Sequence, residues 1–173
     1  CLLILCFRNC RRLENLVDKL LTLTRYDERH EGIIKVVSLS AIAREVAGQF
    51  AVLGEKSIDF KVDIEEAVFI ESTREGVITI LTNLLSNAFK YTQQGQVSLT
   101  VSVSGELANI EVTDTGKGIA DAEKGKVFDT FYRVSSHANV EGSGVGLAIV
   151  KRLVDKYKGT LVLASRLGGG TRV

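Results

Sequence analysis

Two asparagines and a lysine lie close together in the segment NLLSNAFKYT, residues 83–92. Asn83 and Asn87 are four residues apart, so on a helix they share one face, and Lys90 follows on the same side. Amides in an otherwise apolar helix destabilise it unless they are hydrogen-bonded. An amide oxygen suits Mg²⁺ and a lysine suits phosphate. The spacing therefore indicates either a metal and phosphate site or an asparagine pair bonded to neighbouring loops.

A carboxylate followed by glycines stands in DTGKGIA, residues 114–120, directly after an alternating strand pattern. A carboxylate at a strand end can accept a hydrogen bond from an exocyclic amine such as that of adenine. Gly116 and Gly118 let the backbone pass close to a flat ligand. The alternative is a turn that Asp114 initiates.

Alternating glycines open the segment EGSGVGLAIVKRLV, residues 141–154, and an apolar helical pattern follows at once. The N–H groups at a helix start lack internal partners and the helix dipole favours negative charge, so this pattern indicates an anion, often a phosphate. Glycines for a tight turn and close packing are the alternative. Arg133, at the end of the aromatic segment VFDTFYRV, stands at the rim of the polar stretch SSHANVEG. It could close on a phosphate or end a packed helix.

The elements that position these residues alternate between strand and helix patterns. Helices are predicted from Ser38 or Ser40 to about Leu53, over residues 73–89 and over residues 146–157. The middle helix carries a wide apolar stripe of Val77, Ile80, Leu81, Leu84, Leu85 and Ala88. Strands are predicted in IIKVVSL, IDFKVDI, AVFI, QVSLTVSVSG, LANIEVTD, TLVLAS and GGTRV. Residues 2–26 have a heptad seam that predicts a helix packed against other helices.

Composition narrows the class of protein. Of the 173 residues, 45% are apolar and 25% are charged, which favours a folded globular domain over a disordered one. The net charge of +1 gives no support for nucleic acid as a partner. Cys1, Cys6 and Cys10 have no nearby cluster of ligands that completes a metal site, so we interpret them as reduced thiols. The apolar start, CLLILCF, is far shorter than the ~20 residues that span a bilayer.

In this order and at these intervals, the five segments resemble the N, G1, F, G2 and G3 boxes of the histidine kinase ATP-binding domain. That domain belongs to a wider group with DNA gyrase, the heat-shock chaperone ATPases and MutL. The resemblance implies an α/β (α+β) fold, a two-layer sandwich of the Bergerat type with a mixed sheet and helices on one face. It implies a flexible lid over residues 135–141. Residues 1–31 resemble the second helix of the dimerisation and phosphoacceptor hairpin, and residues 32–173 resemble the catalytic domain, with a last strand that looks cut short.

The resemblance also implies the cofactors and the site. ATP and Mg²⁺ would be bound, with Asn87 as the metal ligand and Asp114 on the adenine amine. The catalytic set would be Asn83, Lys90 and Arg133. The remaining nucleotide-binding positions would be Tyr91, Gly116, Gly118, Ile119, Gly142, Gly144, Val145, Gly146, Leu147 and Thr171. Lys90 would belong to both sets.

Two positions depart from the family pattern. Thr130 stands where the F box often carries arginine, so Arg133 is the single arginine of that box, which weakens the prediction of lid closure and full kinase activity. Ala120 stands where proline is usual. His30 and His137 do not sit in a phosphoacceptor motif, and we interpret both as surface histidines.

The function implied by the resemblance is transfer of the γ-phosphoryl group of Mg·ATP to a histidine on a phosphoacceptor helix that this sequence does not contain. The partners implied are that helix, from the same or a partner subunit, and a response regulator receiver domain. The parent protein would be a homodimeric two-component sensor kinase, with this domain in the cytoplasm and an anchor in the cell membrane.

Three alternatives stay open. The first is an ATPase of the gyrase or MutL kind. Those relatives carry glutamate four residues before the metal-binding asparagine, where this chain has Asn83, and a neutral amide cannot take a proton. The second is a Ser/Thr kinase of the anti-sigma-factor type, which leaves the N-terminal helix without a role. The third is a degenerate, regulatory nucleotide-binding module.

Overall fold

The structure is a computed structural model that describes residues 33–53, 57–134 and 143–173. Its elements in chain order are β1 (Lys35–Ser38), α1 (Leu39–Leu53), β2 (Ile58–Ile64), β3 (Phe69–Ser72), α2 (Arg74–Tyr91), β4 (Gly95–Ser104), β5 (Leu107–Asp114), α3 (Asp121–Lys124), α4 (Gly146–Lys156), β6 (Ala164–Ser165) and β7 (Thr171–Arg172). The helix predicted within residues 2–26 and the lid predicted over residues 135–141 lie outside the described residues.

Five strands form one mixed sheet in the order β2-β4-β5-β7-β6. The β2 and β4 strands are parallel, and the other neighbours are antiparallel. A separate two-stranded antiparallel sheet joins β1 to β3. The predicted mixed sheet is therefore confirmed.

The helices cover one face of the large sheet. Val97, Leu99 and Val101 alternate along β4 and are buried, and Val112 lies opposite Leu99 on β5 with its side chain on the same face. These residues share one core with apolar residues of α1, α2 and α4. The intervening β4 residues are polar and only partly buried. This is the predicted two-layer sandwich, because a half-buried sheet needs helices on its apolar face only.

Helix α2 runs through the middle of the core. Thr73 caps its N-terminus by accepting a hydrogen bond from the Gly76 N–H at 3.1 Å, and its hydroxyl lies 2.7 Å from the Tyr157 hydroxyl just beyond α4. All residues of the predicted apolar stripe are buried, as are Gly76 and the rest of that face. Because this face of α2 packs into the core, the polar residues Asn83 and Asn87 on its flank stay only partly buried.

Helix α1 begins where the sequence predicts. Ser38 is its capping residue, since its hydroxyl accepts a hydrogen bond from the Ala41 N–H at 3.2 Å. Ser40, the alternative cap, instead donates to the Glu65 carbonyl at 2.7 Å and accepts from the Val68 N–H at 2.9 Å. That buried serine joins α1 to the connection between β2 and β3.

The structure differs from the prediction at three places. The strands predicted in TLVLAS and GGTRV are assigned only at Ala164–Ser165 and Thr171–Arg172, because their ladder holds only two residue pairs. The strand predicted in AVFI begins only at Phe69 and ends at Ser72, because Ala67 has a φ of +56°, which lies outside the extended region. The four-residue helix α3 was not predicted, since it is too short to show a helical period. Among the described residues, no helix has the length and apolarity needed to cross a bilayer.

Candidate functional site

A pocket opens between α2, the end of β5 and the start of α4, and residues of all the predicted motifs meet there. The predicted site residues that line it are Asn83, Asn87, Lys90, Tyr91, Asp114, Gly118, Ile119, Arg133, Gly144, Gly146, Leu147 and Thr171. These residues come from segments far apart in sequence, so the fold brings them together around one cavity.

Helix α2 supplies the amides of the site. The Asn83 side-chain nitrogen donates a hydrogen bond to the Thr79 carbonyl one turn earlier, at 2.8 Å. This bond fixes the amide plane and turns the Asn83 oxygen toward the start of α4. Asn87 is half-buried one turn further on and lines the same pocket. Both amides are therefore placed at the pocket by a single helix face, as the spacing predicts.

Helix α4 points its N-terminus at this pocket. Val145 occupies the N-cap position without a side-chain cap, so the first-turn N–H groups receive no acceptor from that side chain. A β-carbon at Gly146 would lie 2.8 Å from the Asn83 side-chain oxygen, closer than real contacts of this kind. The bare Cα therefore allows the helix start to come directly against the α2 amides.

Gly144 holds the segment before α4 against the end of the aromatic segment. Its φ is +69°, and a β-carbon would collide with the Phe131 and Tyr132 backbone. The Phe131 N–H donates a hydrogen bond to the Gly144 carbonyl at 2.8 Å. Phe131 and Gly144 are thus in direct contact, and Arg133 lines the pocket two residues after Phe131.

Asp114 supplies a buried carboxylate to the pocket lining. The residue is 9% exposed, and its carboxylate accepts a hydrogen bond from the Gly116 N–H at 2.8 Å. Burial raises the pKa of Asp114, while the N–H groups of Gly116 and Thr171 oppose this shift. The buried Thr92 hydroxyl acts on the pKa in the same direction as these N–H groups, although it meets no hydrogen-bond geometry with any described group.

Cationic side chains also line the pocket. The Lys90 ammonium lies 5.0 Å from the centre of the Tyr91 ring. Burial raises the pKa of the Tyr91 phenol, and the nearby positive charge of Arg133 opposes that shift. The pocket therefore has the Asp114 carboxylate, the cationic side chains of Lys90 and Arg133 and the start of α4 in one lining.

Apolar side chains form a further wall of the pocket. Ile119, Val127 and Val134 are buried there in a small cluster of their own, separate from the main core. Leu147 packs against both clusters. Such a wall suits the flat face of a heterocycle, because both surfaces lose contact with water when they meet.

Three predicted positions do not line the pocket. Gly116 lies behind Asp114, where its bare Cα allows close approach to the Tyr91 carbonyl. Val145 is fully buried in the core. Gly142 lies outside the described residues. Of these, Gly116 still affects the site through its hydrogen bond to Asp114.

Sequence reasoning missed several residues of the site, of which three illustrate the reason. Val127 and Leu163 line the pocket, and Ser165 holds Thr171 from behind. Val127 lies in the aromatic segment whose chemistry was predicted, so its apolar type was a usable signal. Leu163 and Ser165 could be found only after the pairing of β6 with β7 was known.

Comparisons with known proteins agree with this architecture. The one-sided α/β sandwich is the fold of histidine kinase catalytic domains. Residues 72–173 match the family described as histidine kinase-, DNA gyrase B-, and HSP90-like ATPase, and the chain belongs to this family. The predicted resemblance is thereby confirmed.

Similar proteins include sensor kinases from several bacteria. The sensor protein kinase PmrB of Pseudomonas aeruginosa is 31% identical over 169 residues, which cover 94% of this chain and 34% of that protein. The sensor histidine kinase WalK of Bacillus subtilis is 30% identical over 172 residues, which cover 94% of this chain and 28% of that protein. The chain thus spans about a third of the length of the curated relatives it matches.

Solved structures are similar over most of the chain. Full-length ShkA in complex with AMPPNP has a TM-score of 0.79 and 30% identity, over 92% of this chain and 34% of that chain. The mycobacterial sensor histidine kinase MprB has a TM-score of 0.70 and 26% identity, over 81% of this chain and 93% of that chain. These likenesses confirm the predicted fold.

Proposed function

We propose that this domain binds Mg·ATP in this pocket and delivers the γ-phosphoryl group to a histidine on a phosphoacceptor helix, as the catalytic part of a two-component sensor histidine kinase. The observation that carries this proposal is the combination of groups that line one pocket. They are the Asp114 carboxylate, the cationic side chains of Lys90 and Arg133, and an apolar wall. A nucleotide offers a matching set of groups, with an amine, an anion and an aromatic ring.

The base would lie at the Asp114 end. An ionised carboxylate only accepts hydrogen bonds, so it selects a donor such as the exocyclic amine of adenine. Its Oδ1 already accepts the Gly116 N–H, which orients the carboxylate before a ligand arrives. Ile119 and the cluster around it would cover the ring.

The phosphates would lie at the cationic end. The N–H groups of the first turn of α4 and the positive end of its dipole favour an anion there. Lys90 and Arg133 add charge that opposes the charge of the triphosphate. Because Gly146 allows the helix start to reach the Asn83 amide, one anion would meet both groups.

The donor set fits Mg²⁺ only when the nucleotide is also present. Asn87 offers an amide oxygen, which is a hard ligand, and Asn83 offers a second one nearby. The described residues contain no group of three or more His, Cys, Asp or Glu side chains that could hold an ion by themselves. Mg²⁺ usually keeps water and takes substrate phosphates as ligands, so Asn87 is expected to bind it together with ATP.

The residues of this chain would act by position and charge. Phosphoryl transfer needs alignment of the phosphate and compensation of its charge, and bound Mg²⁺ supplies part of that compensation. The attacking group would be the imidazole of the phosphoacceptor histidine, so the pocket does not have to supply a base. This agrees with Asn83, whose neutral amide already donates to Thr79 and cannot activate a water by taking its proton.

The partners follow from this activity. The phosphoacceptor helix would come from the same subunit or a partner subunit, and a response regulator receiver domain would accept the phosphoryl group next. The domain would act in the cytoplasm as part of a homodimeric parent protein anchored in the membrane. The names of the relatives as sensor kinases support this proposal.

Calorimetry with a non-hydrolysable ATP analogue tests the proposal. We expect binding that is tighter with Mg²⁺ than without it, and a GTP analogue that competes poorly. No heat of binding at millimolar nucleotide, with the chain folded by circular dichroism, would contradict the proposed function. Binding of both nucleotides with equal affinity would contradict the assignment of the base end.

A further inference from the structure

Ser165 on β6 lies behind the pocket and contacts three groups. Its hydroxyl oxygen accepts a hydrogen bond from the Ile119 N–H at 2.8 Å. The same oxygen lies 2.8 Å from the Gly170 carbonyl and 3.0 Å from the Thr171 hydroxyl. Ser165 thus joins the apolar wall to the strand that carries Thr171.

These contacts allow one arrangement of protons. A serine hydroxyl has one proton to donate and two lone pairs that accept. The Gly170 carbonyl can only accept, so the Ser165 proton must point to it. The Ile119 N–H can only donate, so it uses one lone pair of Ser165. The contact with Thr171 then requires the proton of Thr171, and this assignment satisfies all the contacts of Ser165.

The position of the Thr171 proton affects what the pocket offers a ligand. With that proton turned toward Ser165, the Thr171 oxygen presents only lone pairs to the cavity. Thr171 pairs directly with Asp114 across the β5–β7 ladder, so both side chains lie on one face of the sheet. The ionised Asp114 carboxylate also only accepts. The Thr171 hydroxyl oxygen and the Asp114 carboxylate therefore offer a ligand in the cavity only hydrogen-bond acceptors and no donor.

We propose that Ser165 is a specificity-determining positioning residue that holds the Thr171 proton away from the pocket. The site thereby favours nucleotides of 6-aminopurines, whose 6-substituent donates a hydrogen bond, over nucleotides of 6-oxopurines, whose 6-substituent is a carbonyl oxygen that only accepts. Ser165 itself does not touch the ligand and acts through Thr171. This inference rests on the proposed binding of ATP in the same pocket.

The backbone around Ser165 is too close-packed to relax when a hydroxyl is lost. Gly170 has a φ of +79°, and its bare Cα lies against the Asp114 carbonyl. Gly118 has a φ of +65° and lies against the backbone of Arg166 and Gly170. The Gly168 N–H also donates to the Lys117 carbonyl at 2.7 Å. Because this turn is held on both sides, a change at Ser165 is expected to alter the Thr171 hydroxyl rather than the path of the chain.

The experiment compares the affinities of ATP and inosine triphosphate for the chain and for Ser165→Ala, by calorimetry at fixed Mg²⁺. Inosine triphosphate carries a ring carbonyl where ATP carries the amine. In Ser165→Ala the Thr171 proton can turn toward that carbonyl, and we expect the ATP to inosine triphosphate affinity ratio to fall about three- to tenfold. Ser104→Ala is the matched control, since Ser104 is exposed at the far end of β4. Its ratio should equal that of the unchanged chain.

Further variants separate this role from a structural one. In a Thr171→Val background, adding Ser165→Ala should leave the ratio unchanged, because the hydroxyl that Ser165 orients is absent. Ser165→Thr keeps a hydroxyl and should preserve the original ratio. If Ser165→Ala does not fold, Thr171→Val is the test, because Ser165 acts through the Thr171 hydroxyl. An ATP to inosine triphosphate affinity ratio that is unchanged in Thr171→Val overturns the inference.

The two proposals fail in different ways. If the chain binds ATP and Ser165→Ala weakens both nucleotides equally, or neither, the role of Ser165 is overturned while ATP binding stands. If the unchanged, folded chain binds neither nucleotide at millimolar concentration, the proposed function is overturned and the role of Ser165 with it.

Discussion

The Cα of Gly146 lies against the side-chain oxygen of Asn83, with no room for a methyl group between them. One residue begins a helix and the other lies on the helix next to it, 63 positions earlier in the chain. Their contact brings the positive end of the α4 dipole to the amides of α2. Several properties of the pocket depend on this approach, and each can be measured.

Gly146→Ala should weaken ATP binding about tenfold and leave adenosine binding unchanged. The added methyl would lie 2.8 Å from the Asn83 oxygen, so the Asn83 amide or the start of α4 would have to shift, and either shift changes the groups expected to meet the phosphates and not those expected to meet the base. Isothermal titration with each ligand measures the effect.

Gly48→Ala is the control for this substitution. Gly48 lies in α1, and a β-carbon there meets nothing within 4 Å. Alanine should raise the free energy of unfolding by about 0.5–1 kcal/mol, because glycine loses more backbone freedom in a helix, and should leave nucleotide binding unchanged. Equal losses of adenosine and ATP affinity in Gly146→Ala would contradict a role confined to the phosphates.

Asp114→Asn should abolish or strongly weaken ATP binding while the fold stays intact. The amide replaces an acceptor with a group that also donates, and that donor would face the amine of the base. Calorimetry gives the affinity, and circular dichroism reports the fold. Asp63→Asn, at an exposed position on β2, makes the same chemical change away from the pocket and should bind normally. Unchanged affinity in Asp114→Asn would remove the assignment of the base.

Asn87→Ala should remove most of the Mg²⁺ dependence of ATP binding. The variant loses the amide oxygen expected to bind the metal, so affinities with Mg²⁺ and with EDTA should converge. Asn109→Ala, an exposed asparagine of β5, is the matched control and should keep the full difference. If the difference persists in Asn87→Ala, another residue binds the metal.

The affinity for adenosine should weaken as the pH falls. The loss should begin at a higher pH than it would if Asp114 had the pKa of an ordinary aspartate. Burial raises the pKa of Asp114, so its carboxylate gains a proton earlier as the pH falls and ceases to be a pure acceptor. The same raised pKa means that ionisation of Asp114 lowers the free energy of unfolding. This destabilisation decreases as the pH falls through the pKa of Asp114 in the folded state.

Adenosine is the suitable probe because it carries no phosphate that titrates. The measurement is its affinity between about pH 4 and pH 7. The part of the pH dependence that belongs to Asp114 should be missing in any residual binding by Asp114→Asn. An affinity that stays constant over this range, in the folded chain, would show that the charge of Asp114 does not contribute to binding.

Much of the architecture could be predicted from local patterns. The apolar stripe of α2 and the alternation along β4 and β5 are strong periodic signals, and the structure confirms both. The choice of Ser38 over Ser40 as the α1 cap was left open, because both residue types can cap a helix. Only the buried contacts of Ser40 with the β2–β3 connection decide between them.

The sequence by itself determined the helices, the main strands and the residue types of the site, since these follow from periodicity and side-chain chemistry within short segments. The tertiary structure decided which of those residues share a cavity. It placed Gly116 behind Asp114, Val145 in the core and Ser165 behind Thr171. Contacts of this kind join residues distant in the chain through strand pairing and helix packing, and no local pattern encodes which partner a hydroxyl or a bare Cα will meet.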